Sequence, residues 1–435
     1  MELADRMTER LATSPSVDGA RVAEWRLALS ERRSVGVGMK HNRIGGPYDA
    51  PGASIGTSGG LYLVWDDGRI SYGDLDSRSF EELDQRLTEW RAAAYDDEWR
   101  PEVLGSQPMP SVEVYDPAVA AQVGGDPSPM FAMLERARRE CGAAGCELVD
   151  GGAGASVGEA VLRSSHGLDV TYEETSCSVW VSADEVYSRS WSKRRLIAVD
   201  ELDEVIGSVA RTVPRLAHQD TLAGGPLTVL MPTATASSFI GKFVMANLAG
   251  AGVVNGQSAY TLHDFHTHRQ VAGPDVDFVL DTTLPFESGT SPCSGEGVPG
   301  GRTPLVEHGS LVSPMLDLKY ARRAGMPPSP LPRQGSALQI VAALEPSWEA
   351  ALASIERGLL VFELLGMHTQ DSAKGDYSVV ASQALAIRDG VLGGRVKATL
   401  VGNFFSNLLD PTTRFVPYSI ERNPGMFMRC DALTE

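Results

Sequence analysis

His263, His266 and His268, with Asp264 among them, form the only histidine cluster in this sequence. On an extended strand His266 and His268 would share one face, and neutral imidazole is a common metal ligand near pH 7. Their spacing matches no common zinc pattern, and Asp264 serves equally well as a hydrogen-bond acceptor, so the cluster reads as a polar loop or interface strand. Glu307 and His308 offer the residue types used in acid–base catalysis. They fall at a hairpin turn, with Leu305-Val306 leading in and Leu311-Val312 leading out, which places them on the surface. Gly56-Thr57-Ser58-Gly59-Gly60 has the form of a nucleophile elbow, but that turn needs a strand before it and a helix after it. Here a Pro/Gly loop precedes and a strand follows, so a flexible connection is expected. Gly151-Gly152-Ala153-Gly154-Ala155 with Gly158 has neither the Lys-Ser/Thr ending of a phosphate loop nor a helix after it, and reads as a hairpin turn. The densest polar set runs from Gly366 through His368, Gln370, Gly375, Asp376 and Tyr377 to Ser378. It follows a short apolar run, Leu359 to Leu365, of the kind that makes a buried strand. Polar loops carried by rigid strands are where binding groups concentrate; a solvated hairpin connection is the plainer reading.

The elements that must position these groups follow from periodicity and punctuation. Met1 to Leu11 forms a short helix. Val22 to Ser30 alternates as a strand, with Ser34 to Met39 as its hairpin partner. Leu61 to Trp65, Asp67-Gly68 and Arg69 to Tyr72 make a β-hairpin whose Asp-Gly supplies the positive-φ turn. Phe80, Leu83, Leu87, Trp90 and Ala94 recur at helical spacing, and a second helix covers Pro127 to Gly142. Strands are expected at 160–164, 170–174, 176–182 and 187–191, then a helix from Leu202 to Ala217. Ala223-Gly224-Gly225-Pro226 marks a boundary, which divides the chain into an N-terminal α+β domain, 1–222, and a β-rich C-terminal domain, 223–435. The second opens with a strand, Leu227 to Met231, and a helix, Ala234 to Leu248, with further helices at 316–324 and 348–357. The fold class is α+β: an N-terminal α/β sandwich-like domain with antiparallel strands, then a strand-rich domain with a few helices. The Gly/Pro/Ser-rich segments 281–303 and 326–336 are long enough to be functional or to line an interface.

Composition narrows the partners. The chain of 435 residues is 43% hydrophobic and 22% charged, as expected of a soluble globular protein. Its net charge of −18 argues against nucleic acid or an anionic membrane as a partner. No apolar run is long enough for a membrane helix. Five scattered cysteines make a disulfide framework improbable and favour a reducing, cytoplasmic compartment. Thirty-two arginines against six lysines suggest a GC-rich genome.

Three segments, in order, resemble the TldD/PmbA family, whose members are also called modulators of DNA gyrase or TldD/TldE peptidase subunits. They are Leu227 to Tyr260, ending Asn255-Gly256-Gln257-Ser258-Ala259-Tyr260; Ser294-Gly295-Glu296-Gly297 through Arg302-Thr303-Pro304-Leu305-Val306-Glu307-His308-Gly309 to Gly325; and Gly358 to Ser378, continuing to Gly402-Asn403-Phe404. Arg163 to Leu168 and Tyr62 to Asp76 resemble elements of the family's first domain.

The resemblance implies one of two subunit types. One carries H-E-x-x-x-H on a helix, where two histidines hold zinc and the glutamate acts as base. Aligned on Gln257 to Tyr260, this chain has Gly241, Lys242 and Ala246 at those positions, and the motif occurs nowhere else in it. Gly and Ala cannot ligate a metal, and Lys242 would repel one. Cys430 stands near the place of the relatives' third ligand but cannot make a site without the histidines. The resemblance therefore implies the zinc-free, TldE/PmbA-type subunit of a heterodimeric metallopeptidase, with no cofactor in this chain and zinc in a TldD-like partner. Its contribution would be to shape a chamber for peptides or small amide substrates, in modified-peptide or natural-product biosynthesis. Candidate chamber or partner-contact residues are His263, His266, His268, His368, Gln370, Gly375, Asp376, Tyr377 and Ser378. The alternative is a homodimeric peptide- or ligand-binding protein without catalysis.

Overall fold

The computed structural model describes residues 2–46, 50–183 and 187–434. Three sheets organise the chain, and the expected α+β class is what is found. The first half is built on an eight-stranded antiparallel sheet. Its main path runs Ile70–Leu75, Gly52–Trp65, Ala20–Lys40, Asp150–Ser164, Asp169–Ala183 and Tyr187–Lys193. One face of this sheet is covered by helices. Glu2–Ala12 and Leu83–Ala92 seal one end around Trp25, Leu27, Leu29 and Leu63. Ser128–Ala143 and Val199–Leu216 seal the other around Met39, Val179 and Val181. Val199–Leu216 buries Leu202, Val205, Ile206 and Val209 along one stripe, each worth about 1.5–3 kcal/mol when fully removed from water. The opposite face is turned toward loops of the C-terminal half, where Leu162, Leu168 and Val170 pack on Cys293.

The second half holds two sheets. A four-stranded antiparallel sheet runs Ser310–Leu311, Arg302–Glu307, Val276–Asp281 and Leu338–Ala342. A six-stranded sheet runs Val391–Asn403, Asp376–Arg388, Arg357–Leu365, Gly225–Met231, Gly425–Thr434 and Arg414–Val416. An additional pairing of Val391–Asn403 with Gly425–Thr434 closes five of these strands into a ring. Its interior is filled by inward residues such as Val229, Val361, Val379, Leu400 and Met428, as side chains fill other small barrels. Ion pairs join the halves: Lys193 reaches Glu287 at 2.6 Å, and Lys319 reaches Asp97 at 2.6 Å. No helix among the described residues is long and apolar enough to cross a membrane.

Several local expectations are corrected. Residues 20–40 form one strand, not a hairpin, and 169–183 are likewise continuous. Gly56 to Gly60 lie inside the strand Gly52–Trp65, and Gly151 to Gly158 inside Asp150–Ser164, rather than in loops or turns. Glycine serves close approach there. A Cβ on Gly59 would stand 2.2 Å from the Ala28 carbonyl oxygen, and one on Gly152 2.4 Å from Trp180 Nε1. The helix near 348 stops at Ala353, and Arg357 already opens the next strand. Met1 lies outside the described residues. The hairpin at 61–72, the helix at 128–143 and the turn at His308-Gly309 are as expected.

Candidate functional site

The helix beginning at Thr233 changes character along its length. Thr233–Phe239 is α-helical, Ile240–Met245 is a π turn, and Ala246–Leu248 resumes the α form. Phe239, Ile240, Phe243, Val244 and Leu248 are buried in the C-terminal core. Ala234, Ser237, Ser238, Gly241 and Ala246 stay exposed, with Lys242 half-buried beside them. Within the π turn the Ala246 N–H donates to the Gly241 carbonyl oxygen, five residues back. Such a bond sets residues five apart on one side of the helix, whereas an α-helix would place them about 140° apart. Gly241 and Ala246 therefore share one solvent-facing side, and a side chain at 241 would meet open space.

Zinc does not fit these residues. The backbone could present two ligands together, but Gly and Ala supply no donor atom, and the ammonium between them is cationic. Lys242 Nζ donates instead to the carbonyl oxygen of His368, at 3.2 Å. Among the described residues no group of three His, Cys, Asp or Glu side chains could hold a metal ion. Cys430 is buried, and burial pushes its thiol up to about 12.

The polar loop lies across from this helix. Gly366 turns the chain in a left-handed conformation after Arg357–Leu365, and Met367–Thr369 form one 3-10 turn. Gln370 then closes the neck. Its Nε2 donates to the Ser378 carbonyl oxygen at 3.2 Å and its Oε1 accepts from the Ser378 N–H at 3.0 Å. A side chain thus replaces a strand neighbour, and neither group of Ser378 is left for pairing with a peptide. On their other side Asp376, Tyr377 and Ser378 already pair with Asn403, Gly402 and Val401. Asp376 accepts from Asn403 Nδ2 at 2.8 Å. Gly375 adopts φ +76°, and a Cβ there would stand 2.5 Å from the Phe405 ring. Its role is to pass an aromatic neighbour, not to admit a ligand. Tyr377 is 2% exposed. It packs edge-on against Phe239, and its hydroxyl donates to Asn407 Oδ1 at 3.0 Å. It belongs to the core rather than to a surface. His368 is exposed at the loop tip.

His263 and His266 lie on a short helix, not a strand. Thr261 caps Leu262–His266, and Asp264 answers with its carboxylate on the Thr261 N–H, completing a capping box. Asp264 also lies 3.5 Å from Arg269. Its hydrogen bonds from Thr261 and the charge of Arg269 hold its carboxyl below the usual range, against burial, which raises it. His268 leaves the helix at φ +51°, with its Nδ1 3.0 Å from the Leu311 carbonyl oxygen. His263 and His266 remain exposed.

Asn247 was not singled out by its sequence context, yet it organises the site. It is 1% exposed. Its Nδ2 donates to the carbonyl oxygens of Phe243, at 2.9 Å, and Ser372, at 2.7 Å, and its Oδ1 accepts from the Ala259 N–H at 2.7 Å. One side chain so joins the helix, the polar loop and the segment leading to the histidines. The available signal was a lone amide in an otherwise apolar helical stripe.

Comparison with known proteins places this architecture. Residues 224–412 match the family model of the PmbA/TldA metallopeptidase C-terminal domain. Residues 224–412 thus carry a domain of the PmbA/TldA type. Its fold is similar along its whole length to TldE from Thermococcus kodakarensis, with a TM-score of 0.80 over 99% of both chains at 16% identity. It is also similar to a candidate modulator of DNA gyrase from Thermotoga maritima, with a TM-score of 0.78 over 99% of this chain and 100% of that one at 17% identity. An uncharacterised protein of Methanocaldococcus jannaschii is 22% identical over 262 residues, 59% of this chain and 62% of that protein. The match thus spans less than two thirds of that relative.

Proposed function

We propose that this chain is the zinc-free subunit of a two-chain TldD/TldE-type peptidase and shapes the chamber in which a zinc-bearing partner hydrolyses peptides or small amides. The observation that carries this reading is the π turn at Ile240–Met245. It keeps Gly241 and Ala246 on one exposed side while neither residue, nor Lys242 between them, has an atom that binds zinc. The whole-length likeness to a TldE supports the same reading. In it, His368 and the exposed helix face lie toward the partner, zinc is held by the partner's residues alone, and the substrate is a modified peptide or natural-product precursor. Five free, buried cysteines support a cytoplasmic setting.

The test is co-expression with an H-E-x-x-x-H relative from the same genome. The two chains should co-purify, zinc should be stoichiometric with the pair, and peptide hydrolysis should need both. Hydrolysis by the isolated chain without metal would refute the proposal, as would a stable homodimer indifferent to the relative.

A further inference from the structure

The glycine-bearing stretch Gly56 to Gly60 borders a second feature of the structure. Two rows of residues cross four strands on the sheet face turned toward the C-terminal half. Ser58, Ser30, Ala160 and Tyr172 pair in register in one row; Gly56, Arg32, Gly158 and Glu174 pair in the next. The small residues Gly56, Ser58, Ser30, Ala160 and Gly158 leave a trough of about 450 Å³, a size suited to a small ligand. Arg333 and Gln334, from the Pro/Ser-rich segment 326–336, roof it. The trough lies at a junction between the two halves of the chain, where ligand sites are common.

Its electrostatics are the reverse of the chain's. Glu174 is 3% exposed and is saturated by Arg32 at 2.6 Å, Gln334 at 2.7 Å and Arg194 at 2.7 Å. Two guanidinium groups, of Arg32 and Arg194, thus engage this one carboxylate, and a third, of Arg333, lines the same trough, in a protein of net charge −18. Glu31, Glu159 and Glu173 pair in the intervening row, and strand alternation sends them to the opposite face. Arg333 lies 5.9 Å from the centroid of Tyr172, with Nη1 3.4 Å from the Tyr172 hydroxyl. Among the described residues it has no carboxylate partner, so the rest of its fork of donors is uncommitted.

We propose that this trough binds the terminal carboxylate of a short peptide, held by Arg333 over its Tyr172 platform, with the hydroxyls of Ser30 and Ser58 donating to the carboxylate. A planar fork of guanidinium donors matches a carboxylate in two parallel bonds. The choice of a peptide rests on the function proposed above; the preference for a carboxylate does not.

The experiment is calorimetric titration of the isolated full chain with N-acetyl-trialanine, with its C-terminal amide, with acetate and with inorganic phosphate. The free acid should bind at least about tenfold tighter than the amide and tighter than acetate or phosphate. Arg333→Met should remove that margin without changing the amide, and Arg333→Lys should restore part of it. Equal binding of acid and amide, no binding of the acid, tighter binding of phosphate, or an Arg333→Met protein with unchanged affinity overturns the proposal. The acid–amide comparison needs only the unmodified chain, so it decides even where a variant does not fold. Carboxylate binding by a chain that pairs with no zinc-bearing relative would sink the subunit reading and keep this site; the opposite pattern would do the reverse.

Discussion

Lys242 Nζ donates to the carbonyl oxygen of His368 at 3.2 Å, which ties the π turn of one helix to the tip of the polar loop. The ammonium is only half-buried, so the bond contributes under about 1 kcal/mol. Lys242→Ala should leave Tm almost unchanged while the amides of residues 366–375 exchange faster. Hydrogen exchange followed by mass spectrometry reads both outcomes in one sample. Unaltered exchange would mean that Asn247 alone holds the loop.

Asn247 predicts the opposite balance. Replacing it with alanine leaves the carbonyl oxygens of Phe243 and Ser372 and the N–H of Ala259 without their partner. At a site that is 1% exposed, the loss should be about 2–4 kcal/mol. Urea unfolding at equilibrium measures it. A change below 1 kcal/mol, on the order of one ordinary hydrogen bond, would show that water replaces the amide there.

The π turn makes a geometric claim that metal binding can check. The double variant Gly241→His with Ala246→His should place two imidazoles on one exposed side, since both positions are open to solvent. It should bind one Zn²⁺ per chain with micromolar affinity, on the order expected for a two-histidine surface site. Gly241→His alone should bind far more weakly. Equal affinities for the two would show that residues five apart do not meet. Neither variant should hydrolyse peptides, because no glutamate stands at 242.

Glu174 links the trough to acid stability. Burial raises its pKa, but the charges and hydrogen bonds of Arg194, Arg32 and Gln334 outweigh it, and the folded value lies below the ordinary 4.5. A depressed carboxylate contributes stability that is full above the unfolded pKa and fades as pH falls through the folded one. Unfolding free energy should therefore drop below about pH 4.5, more steeply in the natural chain than in Glu174→Gln. At pH 7 that variant should be destabilised by about 3–5 kcal/mol, because Arg194 is left buried without its partner. Denaturation curves at several pH values test the sign. A variant whose acid profile parallels that of the natural chain would remove Glu174 from the account.

Much of the C-terminal half was legible in the sequence because its signals are local. The run Leu359 to Leu365 is a strand, His308-Gly309 is its own turn, and Asp67-Gly68 closes a hairpin in the first half. Glycine misled where its cause is tertiary. At Gly59 and Gly152 it answers a neighbouring carbonyl or indole, which no local window contains. The histidine cluster reads as a polar loop or interface strand because spacing alone cannot reveal the reciprocal cap between Thr261 and Asp264. Tyr377 looked like a loop residue because it adjoins one, yet it points into the core. Asn247 owes its importance to Ser372 and Ala259, partners up to 125 positions away. The π turn leaves no compositional trace at all.

The closed ring of the C-terminal half has a consequence for how the chain matures. Gly225–Met231 lies between Arg357–Leu365 and Gly425–Thr434, so both of its neighbours are synthesised more than a hundred residues later. Until they arrive, its Val229 and Met231 have no wall to pack against, and the helix beginning at Thr233 has no finished surface beneath it. Pairings this remote in sequence close slowly, because the intervening loop must lose its freedom first. The first sheet can be complete while this ring is still open. A nascent chain would then hold an ordered half and a long unclosed half, with the strand edges of Gly225–Met231 exposed to other chains.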